Sequence, residues 1–391
     1  MLYILYIIDI IFIHVLKDEV NMYKKEEIVS IKKPNKLLIL GNGFDLSCDL
    51  MSKFSDFSNY KFFTDNKTNG SLIQSNIWYL LLYYYYYTSS EIFPPSPERS
   101  NVKKVEWIDI ENFIKKILIG EYIEIYDIFE EIEKKNYKKR DFRSTKSIKN
   151  DVAGAKIRII SSILHSTSSK NKTIRDVLFY ELKRLELDFC DYLNSHINGE
   201  YNEKAKKLLS TISENCSSPA PVLFIINFNY TNSYNHDHNV VLVHGSLEKK
   251  NVIFGIDCSD VEKEKYNSKN YRFSKAWRKI NNDEETIKIP PKGDIDELIF
   301  YGHSLGEQDF SYFYSIFNYY DIYNSNIRLT FLYKDYRDND EENENNQNIY
   351  FDRIFSLLRH YVIDSLGIKE ANSFITKIEL ENRLIVRKIF L

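Results

Sequence analysis

Short runs of consecutive apolar residues, separated by long helical segments, are the feature that most constrains the fold of this chain. The clearest runs are residues 37–40 (Leu-Leu-Ile-Leu) and 222–226 (Val-Leu-Phe-Ile-Ile). Further strands are predicted at residues 240–243, 252–254, 297–300, 327–333 and 384–389. A strand that is apolar on both faces is typical of a parallel sheet covered by helices on either side. The sequence therefore predicts an α/β fold with a mostly parallel sheet and helices on both faces.

The spacing of these runs also predicts how the chain is organised. Mostly helical residues separate the first two strands, which predicts a large helical insertion at about 66–215 within a domain that covers residues 37–366. Residues 335–348 are acidic and rich in Asn, and are predicted to form a loop before a helix over 351–366. Residues 367–391 are predicted to form a C-terminal segment whose strand packs on the sheet.

The first 36 residues are predicted to be an N-terminal extension. Their apolar run, residues 2–16, is shorter than the roughly 20 residues of a standard membrane span and contains Asp9 and His14. It also lacks the basic start and the cleavage site of a signal peptide. A translation start at Met22 is the preferred interpretation, and an interfacial anchor is the alternative; stable membrane insertion is not expected.

Composition excludes several classes of protein. The net charge is −3, with 53 Lys and Arg against 56 Asp and Glu, so nucleic acid is not an expected ligand. The four cysteines have no C-x-x-C spacing, which speaks against a zinc ribbon or a disulfide framework. Scattered thiols fit a reducing compartment, and we expect a cytoplasmic protein.

A glycine turn follows the first predicted strand and precedes a helical pattern. It consists of Gly41, Asn42, Gly43, Phe44 and Asp45. Two glycines allow a tight turn and close approach to a ligand, and the following helix N-terminus presents N–H groups suited to phosphate. The third glycine of the full dinucleotide fingerprint is replaced by Leu46, so an ordinary strand-to-helix turn is the alternative. Asp45 either caps the helix or faces the ligand.

Polar residues follow two further strands. Asn229 comes after the strand at 222–226, where an uncharged donor and acceptor suits a ribose or a water molecule; a turn residue is the alternative. His244 directly follows the strand at 240–243 and is followed by Gly245, which places it to act as a general base or as a histidine satisfied at a turn. His236 and His238 lie nearby, but no carboxylate or cysteine completes a recognisable metal site.

A second glycine turn follows the strand at 297–300. It contains Gly302, His303, Ser304, Leu305, Gly306, Glu307, Gln308 and Asp309. The turn precedes a predicted helix over 310–323 and would hold the other half of a dinucleotide at the helix N-terminus. Glu307 and Asp309 are alternatively first-turn acids that complement the helix dipole. In the segment 107–111 (Trp-Ile-Asp-Ile-Glu), Asp109 is predicted to cap a helix and no function is required.

Four of these motifs occupy the same kind of position, the end of a buried strand. In parallel sheets the ligand binds at the carboxyl ends of the strands. The chain has only 12 glycines, and six of them lie in or beside these motifs. These six are Gly41, Gly43, Gly245, Gly255, Gly302 and Gly306. The glycines therefore map the predicted site.

The ordered blocks LLILGNGFDL, WIDIE, NFNYT, VHGSL and YGHSLGEQD resemble the AbiH family of bacterial phage abortive-infection proteins, over about residues 37–360. That family in turn is similar in block order to sirtuin-like domains, which bind NAD in a Rossmann-type fold and in several bacterial members degrade it. The resemblance implies an anti-phage role, NAD as ligand or substrate, a phage-derived trigger and a possible homo-oligomer.

The resemblance also assigns residues. It implies that the dinucleotide contacts Gly41, Asn42, Gly43, Phe44, Gly302, His303, Ser304 and Leu305. It implies that Asn229 holds ribose or water, that His244 is the general base, and that Asp45 supports a developing positive charge. The chain departs from the sirtuin-like pattern at Phe44-Asp45 and at Thr231, and it lacks the zinc cysteines, which speaks against protein deacylation.

Three functions follow from the sequence. The first is hydrolysis of the nicotinamide–ribose bond of NAD on infection. The second is a nucleotide sensor that binds NAD or ADP-ribose without hydrolysis and acts through a partner. The third, less favoured, is a metal-dependent nuclease. Its carboxylates would be Asp45, Asp109, Glu111, Glu307 and Asp309.

Overall fold

A computed structural model describes most of the chain. The described residues are 35–61, 76–88, 108–133, 152–170, 173–215, 222–232, 239–258, 260, 268–281, 289–334, 340–365 and 367–390. Residues 2–16, Met22, Trp107, His236 and His238, which the sequence singled out, lie outside this part. Among the described residues no helix is both long enough and apolar enough to cross a bilayer.

Six parallel strands form one sheet. They are β1 (Lys36–Leu40), β2 (Val222–Asn227), β3 (Asn239–Leu242), β4 (Glu297–Tyr301), β5 (Arg328–Tyr333) and β6 (Leu384–Lys388). The strand order is β3-β2-β1-β4-β5-β6, with every neighbouring pair parallel. This is the order of the Rossmann fold, so the predicted α/β, Rossmann-like class is confirmed. The predicted sheet was mostly parallel, and the six described strands are all parallel.

The register aligns the carboxyl ends of the central strands. Leu40, the last residue of β1, pairs with Asn227 on β2 and with Tyr301 on β4. Chain order reverses between β1 and β4, because β2 and β3 lie on one side of β1 while β4 to β6 lie on the other. Ligands bind at such a switch point in open α/β sheets, since the loops that leave the two strands diverge and open a crevice.

Twelve α-helices lie in the described part. Their bounds are α1 (Gly43–Ser47), α2 (Phe54–Asn59), α3 (Ile77–Thr88), α4 (Ile110–Ile119), α5 (Ile123–Glu133), α6 (Val152–Lys170), α7 (Ile174–His196), α8 (Gly199–Glu214), α9 (Lys275–Asn281), α10 (Phe310–Tyr320), α11 (Asp340–Ser365) and α12 (Ile368–Leu380). Short 3₁₀ turns cover Ser268–Phe273, Lys292–Asp294 and Glu307–Asp309. Helices α1 to α8 all lie between β1 and β2.

Among the described residues, apolar side chains form three cores. One face of the sheet packs on α10, α11 and α12, through residues such as Phe313, Leu357 and Phe374. The other face packs on α8 and α1, and Phe44 lies in this core. The third core, which includes Trp78, joins the helices between β1 and β2 to the segment that follows β3. Helices therefore cover both faces, which the unbroken apolar strands require because neither face can meet water.

Two predicted elements differ from the structure. Residues 252–254 form no strand, because the backbone N–H of Phe254 donates to the Glu186 carboxylate (2.7 Å) rather than to a neighbouring strand. The predicted loop at 335–348 is wrong from Asp340 onward, where α11 begins. The acidic residues at 340–344 favour a helix start, since negative charge complements the N-terminal end of the helix dipole.

Candidate functional site

A cleft of about 850 Å³ opens at the carboxyl edge of the sheet, over the switch point. Eight of the eleven predicted site residues line it: Gly41, Asn42, Gly43, Asn229, His244, Gly302, His303 and Ser304. The other three, Phe44, Asp45 and Leu305, do not. The structure thus brings the two glycine turns, the asparagine and the histidine to one cavity.

The two glycine turns pack directly on each other. A Cβ atom on Gly41 would lie 2.3 Å from the Cα of His303, and one on Gly302 would lie 2.4 Å from the backbone N of Phe44. Gly302 also has a φ of +69°, which favours glycine. The N–H of Gly43 donates to the carbonyl of Gly302 (2.7 Å). Because these glycines have no side chain, the two backbones can touch each other, in addition to any space that is left for a ligand.

This packing changes the expected phosphate site. Helix α1 has only five residues, and its first N–H groups are already used, since Gly43 donates to Gly302 and Phe44 donates to Gly41 (2.9 Å). At the second turn, the N–H of Ser311 on α10 approaches the Asp257 carboxylate (3.3 Å). These contacts occupy the first donors of α1 and one of the first donors of α10.

Asn229 is buried at the base of the cleft, with 2% of its surface exposed. Its Nδ2 donates to the carbonyl of Gly41 (3.1 Å), and its backbone N–H donates to Oδ1 of Asn227 (2.9 Å). Its own Oδ1 is buried and has no hydrogen-bond partner among the described residues. Because buried polar atoms are nearly always paired, this oxygen is an acceptor left for a ligand or water.

A carboxylate holds two histidines at the opposite wall. Oδ1 of Asp309 lies 3.2 Å from Nε2 of His244, and Oδ2 lies 3.3 Å from Nε2 of His303. Nδ1 of His303 accepts the N–H of Leu305 (2.9 Å), so the proton of this neutral ring is on Nε2 and points to Asp309. Asp309 thus orients both rings, and a donating Nε2 on His244 leaves its Nδ1 as an acceptor.

A buried lysine completes this cluster. Lys275 on α9 is 2% exposed and lies 2.7 Å from Asp309 Oδ1 and 2.7 Å from Glu111 Oε2. Glu111 stands in the first turn of α4, where Asp109 caps the helix by accepting the N–H of Asn112 (2.9 Å). The predicted cap is therefore observed, and Glu111 lines the cleft.

Burial and neighbouring charges set the protonation of the cluster. Burial would raise the pKa of Asp309, but the Lys275 ammonium and the two histidines hold it well below its usual range. Burial raises the pKa of Glu111 to about 8 despite Lys275, and Asp309 adds to the rise. Burial, with help from Lys275, lowers the pKa of His244 to about 4. At neutral pH the cluster therefore holds an ionised Asp309, a neutral His244 and a largely protonated Glu111.

Asp45 lies on the other side of its turn, away from the cleft. Its carboxyl group accepts the hydroxyls of Tyr201 (2.8 Å) and Thr231 (2.9 Å), which links α1 to α8 and to the end of β2. Burial raises its pKa to about 7, against the effect of both hydroxyls. Phe44 is fully buried against Tyr301, and Leu305 is 2% exposed in the core. These three side chains build the turns rather than the cleft wall.

Two groups of charged side chains belong to the cleft. Lys53, Lys334 and Arg353, called here its outer part, line it, and Arg353 also donates to the carbonyl of Ser304 (3.1 Å). The buried cluster of Glu111, Asp309 and Lys275, called here its inner part, holds two carboxyl groups around one ammonium. A ligand that is positive or rich in donors at its inner end and anionic at its outer end matches this charge distribution.

No sequence motif points to Lys275, and the sequence assigns Glu111 only to the carboxylates of the less favoured nuclease. Glu111 lines the cleft, and Lys275 contacts two residues that line it, Glu111 and Asp309. Neither Glu111 nor Lys275 follows a strand, since they lie on α4 and α9. The sequence around Lys275 has no apolar periodicity that would predict its burial. In the described part of the chain, no group of three His, Cys, Asp or Glu side chains is arranged to hold a metal ion.

Comparison with known proteins now places the fold and cleft in a class. The profile of the family described as "Bacteriophage abortive infection AbiH" matches residues 37–333, from the first strand to the end of β5. The chain is thus a phage abortive-infection protein with a Rossmann-type sheet, and it belongs to the AbiH family. No curated protein and no solved structure matches it.

Proposed function

We propose that the cleft binds NAD and hydrolyses its nicotinamide–ribose bond when infection is sensed. The observation that carries the proposal is the buried Oδ1 of Asn229, an acceptor without a partner among the described residues, in the same cleft as His244. A ribose hydroxyl or the attacking water supplies the donor that this oxygen lacks. The resemblance of the motifs to sirtuin-like domains, from which the roles of Asn229 and His244 were expected, also supports the proposal.

Charge complementarity supports the orientation of the dinucleotide. NAD has a cationic nicotinamide ring at one end of its reactive ribose and an anionic diphosphate beyond it. The inner cleft holds two carboxyl groups, those of Asp309 and Glu111, against the single ammonium of Lys275, while Lys53, Lys334 and Arg353 lie at the outer part. Attraction between charges in a partly buried cleft is stronger than in water, so the two ends are distinguished.

The residues fit a simple hydrolysis. Water attacks C1′ of the ribose, the C1′–N bond breaks, and its electron pair leaves with nicotinamide, which becomes neutral. Asn229 orients the ribose or the water, and Nδ1 of His244 accepts the proton that the water loses and passes it to solvent. Asp309 stabilises both the imidazolium and the oxocarbenium-like ribose. The products are ADP-ribose, nicotinamide and a proton.

The experiment is to incubate the purified full-length chain with NAD, with and without phage lysate, and to measure nicotinamide by chromatography. We expect release of nicotinamide, and a loss of about 10²-fold or more in kcat for His244→Ala and for Asn229→Ala. His360→Ala is the matched control, because His360 is exposed on α11 and outside the cleft.

Two outcomes would overturn hydrolysis. Stable NAD under both conditions, together with retained phage protection in His244→Ala, removes the proposed role. Calorimetric binding of NAD or ADP-ribose without turnover would instead assign a nucleotide sensor that acts through a partner. Because the lysate arm supplies a phage-derived trigger, a response only in that arm would show that the site is activated by infection.

A further inference from the structure

Glu111 is the cleft residue that the hydrolysis above does not use. Its Oε2 is bound by Lys275 at 2.7 Å, whereas its Oε1 is buried and has no hydrogen-bond partner among the described residues. The side chain as a whole is 16% exposed and lines the cleft. Oε2 is therefore anchored, and Oε1 is a buried acceptor without a partner among the described residues, on a side chain that lines the cleft.

Charge counting shows what the inner cleft lacks. Lys275 brings one positive charge to two carboxylates, those of Glu111 and Asp309. The count takes no positive charge from the histidines, because Nδ1 of His303 accepts the N–H of Leu305 and burial lowers the pKa of His244 to about 4. With both carboxylates ionised, the cluster is short of one positive charge.

In the empty cleft a proton supplies that charge. The groups that face Glu111 are Lys275 on α9, Asp309 before α10, Tyr312 on α10, Asp109 at the N-cap of α4 and Tyr230 after β2. Burial and the two acids outweigh Lys275, which is why the pKa of Glu111 rises to about 8. A cationic ligand group at Oε1 would replace this proton and restore the same balance of charge.

We infer that Glu111 contacts the positively charged ring of the ligand through Oε1, so that the cleft selects a cationic nicotinamide ring over a neutral one. The choice of ring rests on the proposed function. Glu111 is then a specificity-determining residue that also stabilises the positive charge as it moves from the ring to the ribose. In this arrangement Asn229 and His244 act on the ribose and the water, and Glu111 contacts the nicotinamide ring before the C1′–N bond breaks.

The test uses two small probes that need no turnover, the 1-methylnicotinamide cation and neutral nicotinamide. Both are titrated into the full-length chain and followed by ligand-observed NMR. We expect the wild type to bind the cation about tenfold more tightly, and Glu111→Gln to lose this preference while nicotinamide binding stays unchanged, since one ion pair in a partly buried site is worth about one factor of ten. Glutamine keeps an oxygen for Lys275, and circular dichroism checks that the variant folds.

Proton release separates contact with the ligand from a structural role. In weakly buffered solution at pH 7, saturation with 1-methylnicotinamide should release close to one proton per chain from the wild type and none from Glu111→Gln. Glu203→Gln, on an exposed position of α8, is the matched control and should behave as the wild type does. Equal binding of the two probes, no binding of the cation, or proton release retained in Glu111→Gln would overturn the inference.

These outcomes are distinguishable from failure of the proposed function. If the chain does not hydrolyse NAD but binds the cation with a preference that depends on Glu111, the proposed hydrolysis is rejected and the inference about Glu111 is retained. If NAD is hydrolysed and Glu111→Gln binds both probes as the wild type does, the inference falls and the proposed function stands.

Discussion

Asp45 and Asp309 are the last residues of the two glycine turns at the carboxyl edge of the sheet, and their carboxyl groups have different hydrogen-bond and charge partners. Asp45 meets two hydroxyls, from Tyr201 and Thr231. Asp309 meets the Lys275 ammonium and two histidines. Burial raises the pKa of Asp45 to about 7, whereas Lys275 holds the pKa of Asp309 well below its usual range.

The difference shows what a buried carboxylate needs in order to stay ionised. Hydroxyl donors stabilise the charge only in part, while an ammonium at 2.7 Å offsets the loss of water. The carboxylate of Asp309 therefore keeps its negative charge in the cleft. The carboxyl group of Asp45 instead links α1, α8 and the end of β2 through hydrogen bonds. Three substitutions and one titration test this contrast.

Removal of the lysine should have the largest effect. Lys275→Met leaves Glu111 and Asp309 buried without their cation, and we expect a loss of about 3–5 kcal/mol in the free energy of unfolding, measured by urea denaturation. Lys206→Met is the control, because this side chain is 54% exposed on α8, and it should change stability by less than about 0.5 kcal/mol. A loss below about 1 kcal/mol for Lys275→Met would show that the cluster does not depend on its cation.

Gly302→Ala should push the two glycine turns apart and therefore disturb the surroundings of both Asp45 and Asp309. Its φ of +69° and the 2.4 Å approach of a Cβ to the Phe44 nitrogen together predict a loss of about 3 kcal/mol in the free energy of unfolding, measured by urea denaturation. Gly199→Ala is the matched control, because nothing lies within 4 Å of its Cβ position. Similar stability of the two variants would contradict the role of the glycine contact.

Asp45→Asn should flatten the pH dependence of stability. The pKa of Asp45 is higher in the folded chain than in the unfolded one, so its contribution is fully present below about pH 4 and is lost as the pH rises through about 7. We expect the variant to remove about 4 kcal/mol of this decline between pH 4 and pH 8, measured by urea denaturation at each pH. An unchanged slope would mean that Asp45 ionises freely in the fold.

The smallest effect concerns the titration of His244. Its pKa is lowered to about 4, so the ring should stay neutral from pH 8 down to about pH 5. The stability that this lowered pKa contributes is present above the unfolded pKa of about 6.5 and is lost as the pH falls toward 4. NMR of ¹³C-labelled histidine, assigned with His244→Gln, measures the midpoint. A midpoint above 6 would show that Asp309 outweighs burial and Lys275.

Much of the fold and part of the site could be predicted from the sequence. The apolar runs that became β1, β2, β4 and β5 are short and unbroken, which marks them as buried on both faces. Because parallel strands end at a common edge, Gly41, Asn229, His244 and Ser304 were predicted to meet, and they line one cleft. The run at 252–254 looked similar but became a buried loop, since its partner is the Glu186 side chain.

The direction of side chains within a turn could not be predicted in this way. Asp45 belongs to a turn that lines the cleft, but its carboxyl group binds Tyr201, because α8 packs on that face of the sheet. The glycines were read as space for a ligand, and the structure shows that they also allow one backbone to touch another. Whether a glycine faces a ligand or a neighbouring turn depends on which strands adjoin in the sheet.

By itself the sequence determined the parallel α/β architecture, the edge at which polar residues gather and the membership of the AbiH family, because these depend on local patterns of apolar and glycine residues. Only the tertiary structure decided the charge of the site. Glu111, Lys275 and Asp309 come from segments far apart in the chain, and a lysine is identical in sequence whether it is solvated or buried. Its 2% exposure and its two carboxylate partners exist only once α4, α9 and the second glycine turn are packed together.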